Sequence, residues 1–200
     1  MLNMVKGCTV PFPEQLAEGF EMQENRIFAN VNVEKILDVF NHFIVLHKDE
    51  QCFFILELPA SKDEEDEIRP GIVEATHKHV YYIDALSAEE ALTILIRSGE
   101  LLINDGISYF GYGFPKTGDE IMLDKYNVIT IYSQDINKYS DFFEPHEIPQ
   151  VADLKMAWDT FSEEHPGVAE RIVVDGKTVF DLIEQYKDWG IYKAETREES

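Results

Sequence analysis

The chain has 200 residues, with 17 Lys or Arg against 39 Asp or Glu, and a formal net charge of −22. Its 44% hydrophobic and 12% aromatic content excludes a disordered chain, and the length suits one domain with a substantial core. The charge excludes ordinary phosphate contacts to nucleic acid and attraction to anionic lipid, and leaves three meanings: a basic protein partner, a divalent cation, or solubility alone. No apolar run approaches the ~20 residues of a membrane helix, the longest being Cys52–Leu56. The first residues, Met1 to Cys8, lack the charged start and apolar centre of a signal peptide, so a cytoplasmic setting is expected. Cys8 and Cys52 are then expected to be reduced, with Cys52 acting as a small buried hydrophobe in its apolar strand.

Residues 1–25 carry Pro11 and Pro13 and weak periodicity, and are expected as a surface arm with a helical turn at Gln15–Phe20. Arg26–Val31 predicts a strand. Asn32 is placed to cap a helix whose buried face is Val33, Ile36, Leu37, Phe40, Phe43 and Ile44. Gln51–Leu58 predicts the next strand, ended by Pro59, and residues 61–70 form a solvated acidic loop.

The most legible stretch follows: strand Thr76–Ile83, helix Ala88–Asn104 and strand Ile107–Phe114. Ser87 and Glu90 make a capping box at the helix start. Ala88, Ala91, Leu92, Leu95, Ile96, Leu102 and Ile103 recur at helical spacing, and Gly106 stands where a C-terminal stop belongs. Because Ile107–Phe114 is aromatic on both faces, it is expected centrally in the sheet. Glu120–Asp124 and Asn127–Ser133 then read as a hairpin. Helices are expected over Asp135–Phe143, from Pro149 through Val151, Leu154, Trp158 and Phe161, and around Val179–Tyr186. Trp158 is expected in the core.

The fold class implied is α+β: a mixed sheet with β-α-β, β-α-β element order, as in the ferredoxin-like split arrangement, an added hairpin and a C-terminal helical cap. The chain is one domain, 1–200, comprising the arm 1–25, a sheet core 26–134 holding the acidic loop 61–70, a cap 135–192 and a frayed tail 193–200.

Chemistry is harder to find. There is no G-x-G-x-x-G, phosphate loop or G-x-S-x-G elbow, and no cofactor is expected. The glycines of Gly111-Tyr-Gly113 are read as places where a ring or another backbone comes close. His77 and His79, two apart on a strand, are the metal candidates. Asp63, Glu64, Glu65, Asp66 and Glu67 of the acidic loop, with Tyr109 and Tyr112 of the aromatic strand, are the binding candidates. No catalytic residue is singled out.

At the level of class, the chain resembles the small acidic α+β proteins that bacteria keep as inhibitors or immunity partners. The likeness rests on size, charge and lack of motifs, and it carries over no site residue. It implies a non-enzymatic protein that binds a basic partner, the acidic field speeding encounter. The alternative is a small enzyme or ligand-binding module with a pocket between the aromatic sheet and the C-terminal helices.

Overall fold

The computed structural model describes residues 1–60, 67–69, 72–73 and 76–198, with backbone alone for 67–69 and 72–73. The fold is α+β and built on one eight-stranded sheet. Its strands, in chain order, are β2 (Gly19–Met22), β3 (Arg26–Asn30), β4 (Cys52–Pro59), β7 (His77–Leu86), β8 (Tyr109–Phe114), β9 (Asp119–Leu123), β10 (Val128–Tyr132) and β12 (Tyr192–Glu198). Four shorter strands complete the numbering. Of these, β1 (Cys8–Thr9) pairs with β11 (Val168–Ala169), and β5 (Glu67–Arg69) with β6 (Ile72–Val73).

The spatial order is β12-β7-β4-β8-β9-β10-β3-β2, and every neighbouring pair is antiparallel. Alternation makes β7 parallel to β8 and β3 parallel to β4, as two β-α-β units require. The second unit is split, with β7 and β8 on either side of β4. The first is stretched, because β8 and the hairpin β9–β10 stand between β4 and β3. The ferredoxin-like strand order is therefore not formed.

Helices α1 (Val33–Leu46) and α2 (Ala88–Asn104) share one core on one face of the sheet. The α2 helix forms as its periodicity predicts, and its Ser87–Glu90 capping box is complete. Ala91, Ile94, Leu95 and Leu102 face Phe110, Tyr112 and Phe114 of β8, whereas Leu92 is half-buried and Ile96 is exposed. The buried face is thus rotated slightly from the expected one. Asn32 stands at the start of α1, but its side chain accepts the Asn3 N–H instead of a helical one.

Strand β8 lies fourth of eight, between β4 and β9, central as expected. Its odd side has a specific structure. A Cβ on Gly113 would lie 2.0 Å from the Phe53 ring, and one on Gly111 would lie 2.3 Å from Met122 Sδ. Phe53 and Met122 therefore lie down over β8, and only glycine leaves them room. Gly106 follows the same rule. It has no left-handed conformation, and its position is decided by the backbone of Gly7, whose oxygen would sit 2.1 Å from a Cβ there.

Four expectations are corrected. The arm is not a surface appendage: Leu2, Val5, Val10 and Leu16 are buried, and residues 19–22 form edge strand β2 in place of a helical turn. Buried Asn127 holds the arm, accepting from Val5 N and donating to the Asn3 and Val31 carbonyls. The cap 135–192 packs on the core through Tyr139, Phe143, Leu182 and Tyr186, but it is mainly 3-10 turns with one short helix, α3 (Leu182–Gln185). The helix expected from Pro149 yields to tertiary contacts. Val151 N bonds to Phe20 O, Leu154 N to Glu21 Oε2, and Asn30 Nδ2 donates to Lys155 O. Finally, the tail is not frayed as far as Glu198, since Tyr192–Glu198 adds β12 at the β7 edge, and residues 199–200 lie outside the described residues.

Replacing Gly113 with Ala should cost roughly 1–3 kcal/mol in urea unfolding, the usual penalty of overpacking. The cost should largely vanish in a Phe53→Ala background, because the ring that the new methyl strikes is gone.

Candidate functional site

Among the described residues, the sheet face away from α1 and α2 is only half covered. Leu154 and Met156 pack on Val128 and Phe28 at the β10–β3 end. Over β12, β7, β4, β8 and β9 the described residues leave the face open and hollow. Period-2 alternation brings Lys78, Tyr82, Ile55, Glu57, Tyr109, Glu120, Met122 and Tyr132 to this side. The glycines of β8 keep the floor low. The result is a cleft of about 760 Å³, walled by Trp158 and Tyr126 and rimmed by Asp124, Lys125 and Arg197.

The cleft's charges are unevenly satisfied. Arg197 donates to Glu57 at 3.1 Å and also pairs with Glu195. Lys78 lies 3.7 Å from Glu57 and 3.7 Å above the Tyr109 ring, which Lys125 also approaches at 5.4 Å. The cations are thus engaged. Two carboxylates are less well served. Burial pushes Asp124 up to about 6, helped by the Glu57 charge and opposed by the Thr130 hydroxyl, which donates at 2.6 Å. Burial also raises Glu120, with Glu57 and Asp124 adding repulsion against the pull of Arg197.

A second polar cluster pins α1 to the start of β9. His47 caps the C-terminal end of α1 with its Nδ1 on Phe43 O at 2.9 Å, while Nε2 lies 3.0 Å from Asp119 Oδ2 and 3.1 Å from Tyr139 OH. Lys138 Nζ reaches the same carboxylate oxygen at 2.5 Å. Burial alone would raise Asp119, but hydrogen bonds from Lys138, Ser133, Thr117 and His47 bring it down to about 2. Both ring nitrogens of His47 are tied to protein acceptors or hydroxyls, which leaves none to take a substrate proton. We read this cluster as a structural pin.

Of the candidates read from sequence, Tyr109 lies in the cleft and Tyr112 does not. Tyr112 points to the helix face, fully buried, and donates to Ala91 O. His79 is buried on that same face and accepts from Lys193 Nζ at 2.8 Å, and His77 opens β7 opposite Glu198. Among the described residues no three His, Cys, Asp or Glu gather as a metal centre. Asp63, Glu64, Glu65 and Asp66 lie outside the described residues, as does the side chain of Glu67. Trp158, expected in the core, is 45% exposed as a cleft wall. Cys8 and Cys52 are free and buried, and burial pushes the Cys52 thiol up to about 12. Sequence reasoning missed Glu57, Glu120 and Asp124. The available signal was a carboxylate inside the apolar run of β4 and the alternate spacing of Glu120, Met122 and Asp124.

Compared with protein-family models, with curated proteins and with solved structures, the chain matches none.

Asp124 and Asp119 act on stability in opposite senses. Asp124 is raised from 3.8 to about 6, so the folded state resists its ionisation and stability should fall as pH rises from about 4 to 6. Asp124→Asn should remove that fall and leave the variant more stable at pH 7 by on the order of 1–3 kcal/mol. Asp119 is lowered from 3.8 to about 2, so its stabilisation is present above about 4 and lost as pH falls through 2. Asp119→Asn should cost roughly 1–3 kcal/mol at pH 7, because it takes the ionised acceptor from the donors that converge on it, Lys138 among them. Thermal unfolding from pH 2 to 8 checks both.

Proposed function

We propose that the protein is a non-enzymatic cytoplasmic binding protein, of the inhibitor or immunity kind, that docks a basic partner on the open sheet face. A lysine or arginine side chain of the partner enters the cleft. The observation that carries this reading is the imbalance inside the cleft. Glu120 and Asp124 are desolvated and repelled by Glu57, while Arg197, Lys78 and Lys125 are already engaged. An incoming cation gains the carboxylates without displacing an existing pair. Tyr82, Tyr132 and Trp158 offer ring faces for its stem and charge. The net charge of −22 steers such a partner from a distance. The two free thiols support a reducing compartment.

A ligand-binding or enzymatic module is the second reading, favoured by a cleft volume of about 760 Å³, which lies within the range of small-molecule pockets. It predicts a small organic ligand or substrate, bound with little dependence on salt.

An arginine-bearing peptide should bind, and Glu120→Gln with Asp124→Asn should weaken it by roughly tenfold, or about 1.4 kcal/mol. Raising salt from 0.1 to 1 M shortens the screening length from about 10 to 3 Å, and association should slow far more than dissociation. Neutralising Asp63, Glu64, Glu65, Asp66 and Glu67 together should slow association further. An acidic peptide that binds equally well, or a double variant with unchanged affinity, would sink this reading.

A further inference from the structure

A different part of the molecule carries a chemistry that the cleft does not use. His42, on the exposed side of α1, and His146, in the 3-10 turn Glu144–His146, meet nitrogen to nitrogen: His42 Nδ1 lies 3.0 Å from His146 Nε2. Without a metal, one ring donates its proton to the other. The same separation suits a shared ion. Two nitrogens each at about 2.0–2.1 Å from one centre, 90 to 110° apart, lie about 2.8–3.4 Å from each other.

We propose that His42 and His146 form a binding site for a divalent transition ion of the imidazole-preferring kind, with Zn²⁺ as the representative, that clamps the 144–146 turn to α1.

Three further observations support the site. Both rings pack on one buried side chain: His42 stacks on Phe142 with centroids 4.7 Å apart and planes 11° apart, His146 lies tilted against the same ring at 6.0 Å, and Phe142 is itself buried in the core. An ion therefore finds both nitrogens converged before it binds, so little side-chain freedom is lost. Asp38, one turn before His42 on α1, acts on His146 as a negative charge, against the opposing charge of Lys35. Both histidines are half-buried, which leaves a side of the site open to solvent. Two protein ligands with water at the remaining positions make a site for a borderline or soft ion, and a poor one for Mg²⁺ or Ca²⁺, which want oxygen ligands.

The site is separate from the sheet-face cleft, so its failure would leave the binding proposal untouched. The test is calorimetric titration of the full chain with ZnCl₂ near pH 7.5, alongside MgCl₂. One saturable Zn²⁺ site is expected, with no Mg²⁺ binding. His42→Ala and His146→Ala should each weaken Zn²⁺ by roughly tenfold or more, since losing a ligand costs at least what losing its supporting partner does. His77→Ala with His79→Ala should leave it unchanged. His42→Gln, which keeps a hydrogen-bonding side chain, guards against misfolding; it should unfold like the parent without metal yet lose the rise in Tm that Zn²⁺ gives the parent. Absence of saturable binding, binding that survives both single alanine variants, or binding abolished by the His77/His79 pair would each overturn the proposal.

Discussion

The fold depends on the unequal sides of β8. Phe110, Tyr112 and Phe114 fill the space beneath α1 and α2, where Phe40 stacks on Phe110 at 4.8 Å and Phe43 meets Phe114 at 5.8 Å. The other side of the same strand offers Tyr109, Gly111 and Gly113, so rings crowd one face and nothing but backbone lies on much of the other. Crowding sets the spacing of the helices, and the bare backbone invites Phe53 and Met122 to lie flat. One six-residue strand thereby decides both where the core is thick and where the molecule is hollow.

The hollow explains how a half-desolvated set of carboxylates can exist. Carboxylates on a flat, solvated sheet would be screened by water and would repel one another only weakly. Sunk beside Tyr109, Met122 and Trp158, they lose part of that screening, and β12 answers by bringing Arg197 across β7 to Glu57. The compensation reaches Glu57 better than it reaches Asp124, which lies three strands away from β7 on the far side of β8. By contrast, the Asp119 cluster meets its burial with Lys138, His47 and hydroxyls, and its carboxylate is firmly ionised. The two acids, five residues apart on one strand and its exit, show opposite responses to burial because one has donors converging on it and the other has a single hydroxyl.

What could be read from the sequence was what is decided locally. The capping box, the helical spacing and the aromatic strand of residues 87–114 all act within a few residues, and α2 and β8 follow. The segment from Pro149 had helical spacing too, but β2 and the side chain of Asn30 capture its backbone, and residue spacing carries no trace of partners more than a hundred places away. Strand β12 was illegible for another reason. An edge strand exposed on both faces needs no apolar alternation, and Tyr-Lys-Ala-Glu-Thr-Arg-Glu has none. Since Arg197 belongs to that strand, the cleft's rim was hidden with it. Tyr109 could be singled out, whereas Glu57, Glu120 and Asp124 were lost among 39 acidic residues.

The pairing of β3 with β10 has a kinetic side. From Arg26↔Tyr132 to Asn30↔Val128, its partners are roughly a hundred residues apart in the chain, and closing so large a loop makes assembly slow. The β7–α2–β8 segment, bounded by its own cap, can organise early, whereas β2, β3 and the arm must wait for the β9–β10 hairpin to present an edge. During that interval the apolar edge of β10, with Val128, Ile129 and Ile131, has no neighbour on one side. Nascent chains of this protein would thus spend their most aggregation-prone moment with that strand uncovered, and the strongly negative charge of the whole chain keeps one such chain away from the next.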